Sequence, residues 1–248
     1  MDESEWTRQR PRVQLLCGFE LRVAGAPIPL TPASERLVAF LAMQDRAVRR
    51  SFASGSLWPD VTADRANANL RSALWRVPMV DRRPLVEATS THLGLRAEVA
   101  VDYHEAVRRA TALVQAGEGD PSRETLELLG GDLLPDWGEE WVGFERERYR
   151  QLRLHALDRA CAFLIRGQRY GEALALAMGA IAADPLRESG FRFAVQIHLA
   201  EGNLLEAVRQ YRTYAERLAD ELGARPSAQL RRLLDESGVA VPLSRVGG

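Results

Sequence analysis

From Leu57 to Val77 the residue pattern admits little other than a helix packed by one face. At about 100° per residue, Ala66, Leu70, Ala73, Leu74 and Val77 fall in one stripe roughly 100° wide, the width a core-facing helix needs. Thr62 or Asp64 can cap its start, and Pro78 predicts that the regular helix stops or bends there. The other face carries Arg65, Ala68, Asn69, Arg71, Ser72, Trp75 and Arg76, so three guanidiniums, an amide, a hydroxyl and an indole stand among small residues. Ala68 and Ser72 leave room for close approach, which suits phosphates and base edges. A surface helix solvated by its arginines would look the same in isolation, so the flanking elements have to decide.

Upstream, Val13–Cys17, Phe19–Val23 and Pro27–Leu30 are short apolar segments broken by Gly18, Gly25 and Pro27, the spacing of a small antiparallel sheet. Thr31 can cap a helix that has Pro32 at its first position, with Leu37, Val38, Leu41 and Ala42 as its apolar stripe. Arg49–Trp58 reads as a second helix, weakened by Gly55. Downstream, Leu85–Ala88 and Leu93–Ala97 read as strands joined by a polar tip, Thr89-Ser-Thr-His92. Three strands, three helices and a hairpin, in that order, are the order of a winged helix-turn-helix, in which the third helix enters the major groove and the hairpin lies along the backbone. The expected DNA-contacting residues are therefore Arg65, Asn69, Arg71, Ser72, Trp75 and Arg76 on the helix, and Thr89, Thr91 and His92 at the hairpin.

The charge is divided to match. Residues 11–96 hold twelve arginines against seven carboxylates, a surplus of five, and residues 97–248 hold nineteen against twenty-four, a deficit of five; the chain's net charge of −1 hides the split. A basic front and an acidic back imply different partners. Lysine is absent, so the chain has no Walker-type Gly-Lys-Ser/Thr loop, no Schiff-base lysine and no Ser-x-x-Lys pair. Cys17 and Cys161 lie far apart and build neither a disulfide framework nor a zinc site; both read as small core residues. No apolar run is long enough to span a membrane and no signal peptide is evident, so the expectation is a cytoplasmic protein.

From Val101 the texture becomes nearly continuous helical periodicity, with helices expected at Asp102–Ala116, Arg123–Leu129, Glu140–Arg166, Tyr170–Asp184, Leu186–Glu201, Leu204–Leu222 and Ser227–Glu236. Tyr170-Gly-Glu-Ala173 and Leu204-Leu-Glu-Ala207 superpose at a spacing of 34 residues. Ala173, Ala177, Ala180 and Pro185 occupy the small-residue and proline positions of a tetratricopeptide repeat, and Tyr211 and Tyr214 make the second copy degenerate. The fold expected is thus an α+β winged helix-turn-helix domain over 12–100 followed by an all-α, tetratricopeptide-like domain over 101–238. Residues 1–11 are expected as a disordered tail and 239–248 as a C-terminal tail. Asp136-Trp-Gly-Glu-Glu-Trp141 sets carboxylates beside indoles, but Glu145-Arg-Glu-Arg148 carries its own counter-ions, and Trp137 and Trp141 are expected to plug the repeat core. His104, His155 and His198 show no ligand spacing. No catalytic, cofactor-binding or metal-binding residue is assigned, and the chain does not read as an enzyme.

Thr31-Pro-Ala-Ser-Glu-Arg-Leu37, Leu57-Trp-Pro-Asp60, Ala68-Asn-Leu-Arg-Ser-Ala-Leu-Trp-Arg76, Leu133-Leu-Pro-Asp-Trp137, Asp184-Pro-Leu-Arg-Glu-Ser189 and Leu218-Ala-Asp-Glu-Leu-Gly-Ala-Arg-Pro-Ser227 together resemble bacterial transcriptional activators of the antibiotic-regulatory-protein (SARP) class. These join a response-regulator-like winged helix to a bacterial transcriptional activation domain, and the resemblance covers about Arg12 to Leu234. It implies cooperative binding to direct repeats in promoter DNA, as a homodimer on DNA, and recruitment of RNA polymerase through its primary sigma factor and core subunits. The alternative is a protein-interaction adaptor whose winged helix does not bind DNA.

Overall fold

A computed structural model describes residues 10–80, 82–116 and 120–238. Residues 1–9 of the expected N-terminal tail, and all of the expected C-terminal tail, lie outside the described residues. The chain divides into two compact units. One takes the stretch up to Arg109 together with Gly131–Arg150, and the other takes Ala110–Gly130 together with the stretch from Gln151. Among the described residues no helix is long and apolar enough to cross a membrane.

In the first unit, β1 (Arg12–Gln14), β2 (Glu20–Val23), β3 (Ala26–Pro27) and β9 (Ala100–Val101) form a sheet in the order β3-β2-β1-β9. β1 runs antiparallel to β2, with Val13 opposite Leu21, and parallel to β9, with Val13 opposite Val101. The third strand is shorter and earlier than the sequence suggests. Ala24 and Gly25, both at positive φ, make a two-residue turn that fixes the register, and Pro27 and Pro29 offer no N–H to extend the ladder. Beyond β1 the backbone N–H groups of Leu15 and Leu16 donate to the Asp102 carboxylate at 2.8 and 3.1 Å, joining the end of β1 to the chain leaving β9. Burial raises the Asp102 pKa, opposed by these N–H groups and that of Tyr103.

Helices α1 (Pro32–Ala42), α2 (Arg50–Leu57) and α3 (Ala63–Trp75) follow. Thr31 holds the cap position of α1, yet its hydroxyl lies 3.0 Å from the Ser34 hydroxyl and accepts no backbone N–H. Buried Ser34 in turn donates to the Ala73 carbonyl of α3 at 3.0 Å. Of the two candidate caps for α3, Thr62 does the work by accepting from the Arg65 N–H. The helix stops at Trp75, as Pro78 requires of the residues before it. Before the wing-like hairpin a short extra one intervenes, β5 (Met79–Val80) with β6 (Arg83–Pro84). β7 (Val86–Ala88) then pairs with β8 (His92–Leu95), and β8 also pairs with β4 (Val48–Arg49), a strand absent from the sequence pattern, which counts Arg49 in the second helix. Leu37, Phe40, Leu41, Val48, Leu57, Leu70, Val86 and Leu93 form the core beneath.

Residues 131–150 return to this unit. Leu133 bridges Leu16, and the Leu134 N–H donates to the Leu15 carbonyl at 2.9 Å. Trp137 and Trp141 do not plug the repeat core: Trp141 meets Phe40 edge-on at 5.3 Å, and Trp137 lies 6.1 Å from Phe19. Arg146 fixes their loop by donating to the carbonyls of Leu133, Leu134 and Trp137. Glu145 pairs with Arg148 as expected and accepts from the Tyr103 hydroxyl. Cys17 is exposed at positive φ in the turn after β1, so it is not a core residue; the backbone there bends towards Asp132, whose carbonyl accepts the Cys17 N–H.

The remaining helices are α4 (Asp102–Ala116), α5 (Arg123–Leu129), α6 (Glu140–Arg166), α7 (Tyr170–Ala183), α8 (Glu188–Ala200), α9 (Leu204–Leu222) and α10 (Ala228–Glu236). In the second unit Ala173, Ala177 and Ala180 are buried and Phe191 stacks 4.8 Å from Tyr214, so the small residues of one hairpin and the tyrosines of the next fill a shared core. Buried Cys161 belongs to that core, and desolvation pushes its thiol up to about 12.

Candidate nucleic-acid interface

Antiparallel pairing of β4 with β8 brings the start of α2 against the β7–β8 tip. The Arg50 N–H donates to the Thr91 carbonyl at 2.9 Å and its guanidinium reaches the Thr89 carbonyl at 3.3 Å. Thr89 closes the tip by accepting from the His92 N–H at 2.9 Å, while the Thr91 hydroxyl lies 2.9 Å from His92 Nδ1. His92 itself begins β8 opposite Arg49 and is not part of the turn. Between α2, α3 and this tip lies a groove of about 740 Å³ lined by Arg49, Arg50, Ser51, Asp64, Asn67, Arg71, Ser90, Thr91 and His92. A second depression, about 390 Å³, shares Arg50 and Arg71 and is otherwise apolar, with Leu74, Trp75, Val77 and Pro84 in its wall.

Of the residues expected from sequence, Arg71, Thr91 and His92 line the main groove and Trp75 the apolar one. Thr89 lines a different depression, which shares His92 with the main groove. Arg65, Asn69, Ser72 and Arg76 line neither groove; Arg65, Ser72 and Arg76 are exposed and Asn69 is half-buried on the other flank of α3. Arg49, Arg50, Ser51, Asp64 and Asn67 were not expected. Asp64, Asn67 and Arg71 stand at i, i+3 and i+7, a stripe legible in the sequence. Nothing local says that this flank faces the hairpin. Arg49 and Arg50 join the groove through the pairing of Val48 with Leu93, a contact across the whole unit. Chemically the groove offers three guanidiniums, hydroxyls and an amide on a concave surface, a donor set for phosphate oxygens and base edges.

A sheet-flanked set of three helices, ending in an arginine-bearing helix beside a hairpin and followed by paired helices, is the order of elements expected of the regulators that the sequence motifs resemble. The family described as bacterial transcriptional activator domain matches residues 96–236, more than half of the chain, and the chain belongs to it. It is a regulator of the SARP type. No curated protein sequence matches it. A solved structure of Mycobacterium tuberculosis EmbR in complex with a low affinity phosphopeptide is similar in fold, with a TM-score of 0.74 at 20% identity over 94% of this chain and 66% of that one. The chain thus spans just under two thirds of the length of that solved chain.

Proposed function

We propose that the protein activates transcription by binding promoter DNA, with the first unit acting as a winged helix. α3 lies in the major groove, the β7–β8 hairpin lies against the phosphate backbone, and two copies bind direct repeats side by side. The helical unit supplies contacts to RNA polymerase, including its primary sigma factor. The protein acts in the cytoplasm and changes no covalent bond. One observation carries this reading: Arg49 at the end of β4, Arg50 at the start of α2 and Arg71 on α3 converge with the hairpin tip on one concave surface. Guanidiniums gathered on one concave surface focus a positive potential that an anion relieves, and the surplus of five arginines in residues 11–96 supplies the long-range field.

Salt is the direct test. With Z phosphates neutralised, the logarithm of the binding constant falls with the logarithm of salt at a slope of about −0.9Z. Capture of genomic duplex fragments by the purified protein at two salt concentrations should enrich paired short repeats at promoters, with affinity falling steeply as salt rises. A flat sequence profile, or affinity indifferent to salt, would support the adaptor reading instead.

A further inference from the structure

Asp64 is out of place in a groove built for phosphate. It is exposed, it stands among Arg49, Arg50 and Arg71, and yet it makes no hydrogen bond or ion pair with any described residue. Nor does it cap α3, since Thr62 does that. A carboxylate in the first turn is favoured by the dipole of α3, but in this groove it repels phosphate oxygens and weakens sequence-independent binding, a cost that is recovered where it faces hydrogen-bond donors on the DNA. In the major groove those donors are the exocyclic amino groups of cytosine and adenine, whereas guanine O6 and N7 and thymine O4 are acceptors that a carboxylate repels. Asn67 lies one turn further on the same edge of α3, about 4.5 Å along the axis at 1.5 Å per residue, close to the base-pair step of about 3.4 Å. Its amide matches the N6 and N7 edge of adenine.

Resting on the DNA-binding reading above, we propose that Asp64 and Asn67 are specificity-determining residues: Asp64 accepts a hydrogen bond from the N4 amino group of a cytosine, and Asn67 pairs with an adenine at the neighbouring base pair. Arg71, a further turn along, anchors the same edge. Asp64 works as much by exclusion as by attraction, because an acceptor base at its position leaves two acceptors face to face.

The test is selection from a pool of randomised duplexes with the full chain, followed by competition binding of single-base variants of the selected site. For Asp64→Ala, preference for cytosine at one position falls by about tenfold, while affinity for mixed-sequence duplex rises. Asp64→Asn moves that preference towards adenine, a change that a purely structural carboxylate would not produce. Unaltered preference in both variants, or an equal loss at every position, overturns the inference. Since Asp64 sits in the first turn of α3, far-UV circular dichroism accompanies each variant; if Asp64→Ala unfolds, the shift in Asp64→Asn decides alone. A wild-type chain that binds no duplex at low salt overturns the DNA-binding reading itself, whereas a wild type that selects a site which Asp64→Asn leaves unchanged overturns this inference alone.

Discussion

Arg71 belongs to both depressions beside α3, is exposed, and has no partner among the described residues, so its side chain adds nothing to folding that its removal would cost. Arg71→Ala is expected to leave the thermal midpoint unchanged while weakening duplex binding by about tenfold, with the salt slope reduced by about one. Fluorescence anisotropy at several salt concentrations measures both. His104 behaves in the opposite way. Burial lowers its pKa against the pull of the Met43 backbone and the carboxylates of Asp45, Glu145 and Asp102. The unfolded chain takes up the proton near 6.5 and the folded chain only at lower pH, so this contribution to stability is complete above about pH 6.5 and is lost as pH falls through the folded value. Thermal melts between pH 7 and pH 5 should show a shallower decline in His104→Gln than in the wild type; equal slopes would remove His104 as the cause.

Among the elements, the α7–α8 pair shows how small residues set distance. A Cβ at Gly190 would lie 2.8 Å from Ile181 Cγ1 and 3.3 Å from the Ala177 carbonyl oxygen. Alanine in a helix gains about 1 kcal/mol over glycine. Here overpacking a full core costs about 1–3 kcal/mol, and the backbone carbonyl cannot give way as a side-chain end can. Gly190→Ala should therefore lower the urea midpoint of the chain, and a raised midpoint would show that the helices can separate freely. The alanine periodicity at residues 173, 177 and 180 is legible in the sequence because helical spacing is local. Gly190 carries no such sign, since its requirement comes from Ile181 on the facing helix. Trp137 and Trp141 mark the same limit: their aromatic spacing announces packing, and the partners, Phe19 for Trp137 and Phe40 on α1 for Trp141 instead of the repeat core, depend on the path of the chain between.

At the scale of the whole molecule, the first unit is completed by residues more than thirty positions beyond its last strand. Trp137, Trp141 and Glu139, which pairs with Arg36, lie there, and Asp102, the anchor of Leu15 and Leu16, directly follows the strand. The same segment brings Leu133, Leu134 and Val142, all fully buried, and each such side chain contributes about 1.5–3 kcal/mol against a usual domain stability of about 5–15 kcal/mol. A fragment of residues 1–101 is thus expected to melt far below the full chain, or without a cooperative transition, and a fragment extended to residue 150 to recover a cooperative melt. Calorimetry of the two fragments tests this, and an unchanged midpoint for the shorter one would show that the return of 131–150 adds nothing.

The sequence by itself determined which helices exist and which face of each is buried, because periodicity, caps and prolines act within a turn or two of the chain. It also determined the charge division and, through its motifs, the family. Only the tertiary structure decided which flank of α3 borders the hairpin. The buried stripe of Ala66, Leu70 and Ala73 leaves two flanks equally free, one with Arg65, Asn69 and Arg76 and the other with Asp64, Asn67 and Arg71. The pairing of Val48 with Leu93 selects the second, and a choice made by a contact forty-five residues long leaves no trace in the local pattern of either strand or helix.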